Sequence, residues 1–186
     1  DIPHRVIDMS ATFNERVVDY FCNEYARGRT PNPCVRCNRY IKFDTLLDEA
    51  EVCGAEYIAT GHYARIEPVD GADRHRLKKG FDTGKDQSYF LYLLERERLG
   101  RILMPLGDKR KDDVWRIAGG LGIDTARRAE SQDACFIAGG DYRGLLRECI
   151  PAAAAPGPII DGAGNIIGEH GGIAYYTVGQ RRGLGL

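Results

Sequence analysis

Tryptophan occurs once and methionine twice in this chain of 186 residues, and no apolar run approaches membrane-spanning length. A helical bilayer span takes about 20 consecutive apolar residues, so these residues hold no candidate for one. Net charge is scarce as well. The 26 Lys and Arg stand against 27 Asp and Glu, for a formal charge of −1, which excludes a uniformly basic nucleic-acid binder. A local basic face, such as Arg74, Arg76, Lys78, Lys79 and Lys85, remains compatible with phosphate contacts. No stretch reads as a secretory signal, so the cysteines are expected in a reducing, cytoplasmic setting without structural disulfides and away from membranes. Hydrophobic residues make up 43%, too many for a disordered chain and enough to bury one core, or one core and part of a second.

What the chain does have is six cysteines, three of them in two distant segments of related chemistry: NPCVRCN at 32–38 and SQDACFI at 131–137. A CxxC alone suits zinc binding or disulfide exchange. Joined to a third cysteine in a Ser-Gln-Asp-Ala-Cys turn, it points to sulfur transfer. Cys22 shares an apolar helical stripe with Val18 and Phe21, and Cys53 ends another helix, so both are expected to be buried small hydrophobes. A four-ligand zinc site usually shows a second close pair, and neither Cys135 nor Cys149 has a Cys or His within four residues, so no metal site is expected, and zinc stays open only as a site assembled from Cys34, Cys37 and Cys135 with a distant ligand.

The order of patterns predicts an α/β chain. Residues 4–9 alternate like a strand, and Ser10 or Thr12 can cap a helix carrying Phe13, Val17, Val18, Phe21 and Tyr25. Residues 28–38 hold two prolines and no hydrophobic period, which predicts a loop bearing the CxxC. Phe43, Leu46, Leu47 and Ala50 mark a second helix stopping near Gly54, followed by a short buried strand over 56–60 that ends at Gly61 and His62. Ligands of open α/β sheets bind at that carboxyl edge, which makes Gly61 and His62 site candidates. Further on, the patterns suggest a hairpin over 64–80 with its tip at 70–73, a helix over 88–94, and a helix through Val114, Ile117, Ala118 and Leu121 closed at Gly122. From Gly139 the composition turns to glycine, alanine and proline, with strand-like NIIGEH and GIAYYTVG beyond, as in a linker entering a small β-rich domain.

Taken together, GRTPNPCVRCN, IKF, ATGHYAR, KDQSYFLY, LMPLGD, SQDACFI and YTVGQRRGLG resemble the bacterial tRNA-specific 2-thiouridylase family, in family order across nearly the whole chain. The resemblance implies a Rossmann-like catalytic domain of the adenine-nucleotide α-hydrolase type over 1–138, in part, and the start of a central β-rich domain over 139–186. It also implies a fragment, since the family's SGGxDS pyrophosphate loop does not occur in these residues, so the chain alone is expected to bind ATP poorly and to be inactive. The family replaces the C2 oxygen of the tRNA wobble uridine with sulfur, using ATP, with Mg2+, to turn that oxygen into a leaving group.

By the same resemblance, Cys135 is the persulfide carrier, loaded by a cysteine desulfurase or a sulfur-carrier protein, and Cys37 is the catalytic nucleophile. Gly61 would contact ATP. Asn32, Pro33 and Cys34 would line the flipped target base, with His62, Lys85, Asp86 and Gln87 also touching tRNA. Cys34 stands where some relatives carry Asp, so its role stays open between a resting disulfide with Cys37, metal ligation and the pocket wall. A rival reading makes the chain a thiol redox or thiol-metal module working through Cys34 and Cys37, in which Cys135 is dispensable.

Overall fold

The computed structural model describes residues 2–71, 74–123 and 134–186. Helix α1 runs through Ser10–Phe13, a π-type stretch Asn14–Val18, and Asp19–Ala26. Helix α2 follows as Pro33–Arg36, a second π-type stretch Cys37–Phe43, and Asp44–Val52. Strand β1 (Ile58–Ala59) precedes the hairpin β2 (Ala64–Pro68) and β3 (His75–Lys79), and the 3-10 turns Ser88–Leu91 and Arg96–Arg101 lead into β4 (Ile102–Leu103). Then come α3 (Lys111–Gly120), α4 (Tyr142–Cys149), β5 (Gly157–Ile160), β6 (Ile166–His170) and a last 3-10 turn Ile173–Tyr175.

These elements form two compact units. In the first, Cys34–Glu130, Phe43 and Leu47 of α2 are buried against Ile58, Leu91, Leu99 and Ile102. β1 and β4 pair in parallel, Ile58 with Ile102 and Ala59 with Leu103, and Thr60 N–H donates to Leu103 O to extend the ladder by one bond. Gly107 lies so close to Ala64 that any side chain would collide with the Ala64 carbonyl, which is why the LMPLGD turn must carry glycine there. An ion-pair network ties α2 to the turn at 96–101: Arg98 reaches Asp44 and Asp48 at 3.6 and 3.3 Å, while Arg39 reaches Asp44 at 3.3 Å and also pairs with Glu95. Burial raises the Asp44 pKa, against the pull of Arg39 and Arg98.

The second unit joins residues 1–33 to 131–186. Its core is Phe21 and Cys22 of α1, Leu146 of α4 and Ala174, flanked by a T-shaped contact of Phe21 with Phe136 at 5.4 Å between centroids. Burial pushes the Cys22 thiol up to about 12, and the neighbouring Cys149 thiol on α4 adds to the shift. Antiparallel β5 and β6 are joined by a turn in which Asp161 accepts from the backbone of Ala163 and Asn165.

Several expectations are corrected. Residues 4–9 form no strand, because alternation of residue types does not by itself supply a ladder; Val6 is 85% exposed. Neither Ser10 nor Thr12 caps α1; Asp8 instead accepts from the Ser10 N–H and hydroxyl. The CxxC does not sit in a loop. Pro33, whose missing N–H costs nothing at a first helical position, opens α2 and places both cysteines on it. The expected helix over 88–94 is a single 3-10 turn, and GIAYYTVG contributes another rather than a strand. A helix, α4, capped by Asp141 through Gly144 N–H at 2.8 Å, occupies part of the expected linker. Cys53 is exposed, whereas Cys22 is buried as expected.

Truncating Phe43, fully buried at 0% exposure, to alanine is expected to lower the unfolding free energy by about 3–5 kcal/mol in a denaturant titration.

Candidate active site

The carboxyl end of β1 carries Thr60, Gly61 and His62, and the side chains there form one chain of hydrogen bonds. His62 Nε2 lies 3.2 Å from Asn38 Oδ1, and Nδ1 lies 3.0 Å from Thr60 Oγ1. Asn38 Nδ2 donates to Phe90 O at 3.3 Å, which fixes Oδ1 as the atom facing the imidazole. His62 therefore holds its proton on Nε2 and accepts from the Thr60 hydroxyl. Asn38 directly follows Cys37 in α2, so this chain ties the CxxC helix to the strand edge.

Burial first, and then the Lys42 charge, push the His62 pKa from 6.5 to about 4, so the ring is neutral at pH 7. The ring also lies 5.3 Å from Phe43, closing it into the core. His62 is thus engaged by protein at both nitrogens, and its first role in the fold is to position Asn38.

In front of this edge lies a cavity of about 370 Å3 lined by Lys42, Leu46, Thr60, Gly61, His62 and Gln87. A Cβ on Gly61 would meet only Leu106 Cδ1, at an ordinary 3.7 Å, and the residue has no positive φ. Packing therefore makes no demand for glycine at this position, but a ligand approaching the backbone would.

The three residues of the KDQ segment also serve the fold. Gln87 makes a two-point contact with Tyr63, its Oε1 accepting from Tyr63 N–H at 3.0 Å and its own N–H donating to Tyr63 O at 2.9 Å. Asp86 accepts from Gly80 N–H at 2.8 Å and from the Ser88 hydroxyl at 2.9 Å. Burial opposes its ionisation, but those donors outweigh it and leave the carboxyl below its usual range. The Lys85 N–H bonds Asp82 O at 3.0 Å, and its side chain is half-buried.

Cys34 is exposed and Cys37 half-buried, one helical turn apart on α2. Of the two arginines beside them, Arg36 stacks on Tyr40 at 4.6 Å and Arg39 is taken up by Asp44 and Glu95. Asn32 and Pro33 belong to the other unit, half-buried and buried respectively. Cys135 belongs there too, exposed in a turn whose next residues, Phe136 and Ile137, pack on the Phe21 core. The preceding part of its motif, 131–133, lies outside the described residues.

Thus Asn38, Thr60, Gly61, His62 and Gln87 are brought together. Asn38, Thr60 and Lys42 were not singled out from the sequence, although Asn38 stands inside the NPCVRCN motif, where a polar residue on the inner face of a helix could have marked it.

The α/β unit, with a ligand-sized cavity at the carboxyl end of a parallel strand pair, has the arrangement in which α/β domains bind ligands. Residues 1–139 match the family model described as the tRNA methyl transferase HUP domain, and 143–186 match the tRNA methyl transferase PRC-barrel domain. The whole chain is 51% identical over 185 residues to the tRNA-specific 2-thiouridylase MnmA of Pelotomaculum thermopropionicum, covering 50% of that protein. It is 51% identical to the protein of that name from Desulforudis audaxviator and 48% to that of Moorella thermoacetica, covering 54% and 52% of them. The chain belongs to the tRNA-specific 2-thiouridylase family, the family its motifs resemble, and spans about half the length of the curated relatives it matches.

The His62 shift has a direction that can be measured. The unfolded chain takes up the proton more readily, so the stability due to neutral His62 is complete above pH 6.5 and is lost as pH falls from there toward 4. At 1.36 kcal/mol per pKa unit this amounts to roughly 3 kcal/mol. Denaturant titrations across that range are expected to show the loss in the unsubstituted chain and a flatter profile in His62→Asn.

Proposed function

We propose that this chain is the sulfur-handling part of an enzyme that converts the C2 oxygen of a tRNA wobble uridine to sulfur, with residues 1–138 in the catalytic domain and 139–186 opening the central one. The observation that carries the reading is the hydrogen-bond chain from Thr60 through His62 to Asn38, which holds the helix of Cys37 against a cavity open at Gly61. The family membership and the names of its relatives support it.

The residues present fit part of an adenine nucleotide. The backbone at Gly61 leaves the space a Cβ would take, and Lys42 puts one cation on the cavity wall, but no phosphate-cradling glycine loop of the SGGxDS kind occurs in the chain. ATP, when bound with Mg2+, supplies the activation that lets the C2 oxygen depart. Gly61 would face the nucleotide. Asn32, Pro33 and Cys34 would line the extruded base, with Lys85, Asp86, Gln87 and His62 on the tRNA side; Asp86 and Gln87 would act with the backbone bonds that fix them in place.

Cys135 would carry the incoming sulfur as a persulfide received from a cysteine desulfurase or carrier protein. Once the terminal sulfur is bonded to C2, the Cys37 thiolate attacks Cys135 Sγ. The persulfide S–S bond breaks with its electron pair left on the transferred sulfur, and a Cys37 to Cys135 disulfide forms, to be reset by two reducing equivalents from an external thiol. That step needs the two Cα atoms within about 7 Å in the reacting state. The setting would be cytoplasmic; no helix of the described residues is long and apolar enough to cross a membrane.

A second reading gains from one observation. Cys34 and Cys37 lie at the start of a helix, one turn apart, the placement a dithiol redox pair uses. Non-reducing peptide mass mapping after incubation with a cysteine desulfurase and free cysteine separates the two. One added sulfur on Cys135, absent in Cys135→Ser and persisting in Cys37→Ser, with a Cys37 to Cys135 cross-link in the unsubstituted chain, is the expected result. A Cys34 to Cys37 bridge alone, with Cys135 unmodified, establishes the redox module instead.

A further inference from the structure

We propose that the cavity between the β2–β3 hairpin and the 3-10 turns at 88–91 and 96–101 is a second RNA contact, which holds a backbone phosphate with Arg74 and Arg96 and stacks an unpaired base on Tyr92. It deepens the tRNA reading above and rests on it. The cavity measures about 490 Å3, and Arg74, Arg76, Arg96 and Tyr92 line it over a floor that includes the buried Leu91 and Leu99. An adjoining space of about 450 Å3 shares Arg74, His75 and Arg96 and adds Glu97. None of these residues lines the cavity at Gly61.

Three guanidinium groups repel one another across such a space, and a chain of net charge −1 gathers them here nonetheless. Arg76 is partly offset by Glu67 at 3.8 Å. Among the described residues, Arg74 and Arg96 have no ion pair. Gly100 forms part of the wall: a Cβ there would fall 2.8 Å from the His75 ring, so only glycine lets the imidazole lie against this turn.

The rings decide the class of ligand. Tyr92 is 63% exposed and Tyr89 66%, with their centroids 6.3 Å apart. Exposed aromatics beside unpaired arginines are how sequence-tolerant sites hold single-stranded nucleic acid, the cations taking the backbone and the rings the bases. An acidic protein segment would satisfy the arginines and leave the rings without a partner. Lys85, Asp86 and Gln87 lie a few residues before Tyr89 and Tyr92 in sequence, so the proposed contact continues the expected tRNA-facing stretch.

The test is fluorescence anisotropy of a labelled anticodon stem–loop RNA with uridine at the wobble position, titrated with the chain between about 50 and 200 mM salt. Arg74→Gln with Arg96→Gln is expected to lower affinity about tenfold or more and to reduce the slope of log K against log salt by about 0.7–0.9, the contribution of the one phosphate the pair holds. Tyr92→Ala is expected to weaken binding roughly 5- to 100-fold at unchanged slope, and Tyr92→Phe to restore it. All three side chains are exposed, and matching melting curves check that the variants are folded. RNA binding that persists with the slope unchanged overturns this contact and leaves the tRNA reading standing. Failure of the unsubstituted chain to bind the RNA overturns both. Displacement of the RNA by micromolar AMP, with the same arginine dependence, makes the cavity a mononucleotide site and overturns the RNA proposal. Displacement by polyglutamate, with Tyr92→Ala silent, assigns it to an acidic protein segment and does the same.

Discussion

The first unit depends on one neutral imidazole. Buried between α2 and the end of β1, His62 cannot afford a charge, and in its neutral form it has one donor and one acceptor to place. Asn38 and the Thr60 hydroxyl take both. Because Asn38 spends its amide on Phe90, the network reaches from the strand edge through the cysteine helix to the turn that follows the KDQ segment. Loss of any member strands a buried polar atom, which typically costs more than the bond itself is worth. The geometry around Cys37 is therefore set by packing and polar satisfaction outside the cysteines.

Residues that look reserved for a ligand are shared with the fold. Gln87 clamps Tyr63 at both its N–H and its carbonyl, and Asp86 gathers Gly80 and Ser88, so the segment expected to meet RNA is already held rigid by the protein's own backbone. Preorganisation of this kind lowers the entropy lost when a partner docks. Gly61 contrasts with Gly107. The latter is dictated by the Ala64 carbonyl, while the former answers to nothing in the protein interior.

Much of the first unit was legible in the sequence. The spacing of Phe43, Leu47 and Ala50 gave the helix and its inner face, Gly54 its end, and the apolar pair Ile58–Ala59 the strand whose carboxyl edge bears the site. What escaped were features decided by partners or by a single backbone atom. Alternation over 4–9 cannot say whether a neighbouring strand exists, and two prolines read as loop until Pro33 is seen at a first helical position, where its lost donor is harmless. Asn38 escaped because residues 28–38 read as a loop, where a polar residue is expected to face water, and only the tertiary partner His62 reveals it as buried. The α4 helix escaped because glycine and alanine around it lowered the contrast that its cap, Asp141, supplies.

Cys22 offers a last consequence. Its thiol is buried beside Cys149, and burial first, then that neighbour, push its pKa up to about 12, so at neutral pH it stays protonated. A mobile sulfur atom passes only between thiolates, and to it this cysteine is inert. The second unit thus keeps one cysteine for packing while it leaves others, Cys135 and Cys149, exposed to solvent. Chemical selectivity among like residues here follows from depth, with no gate required.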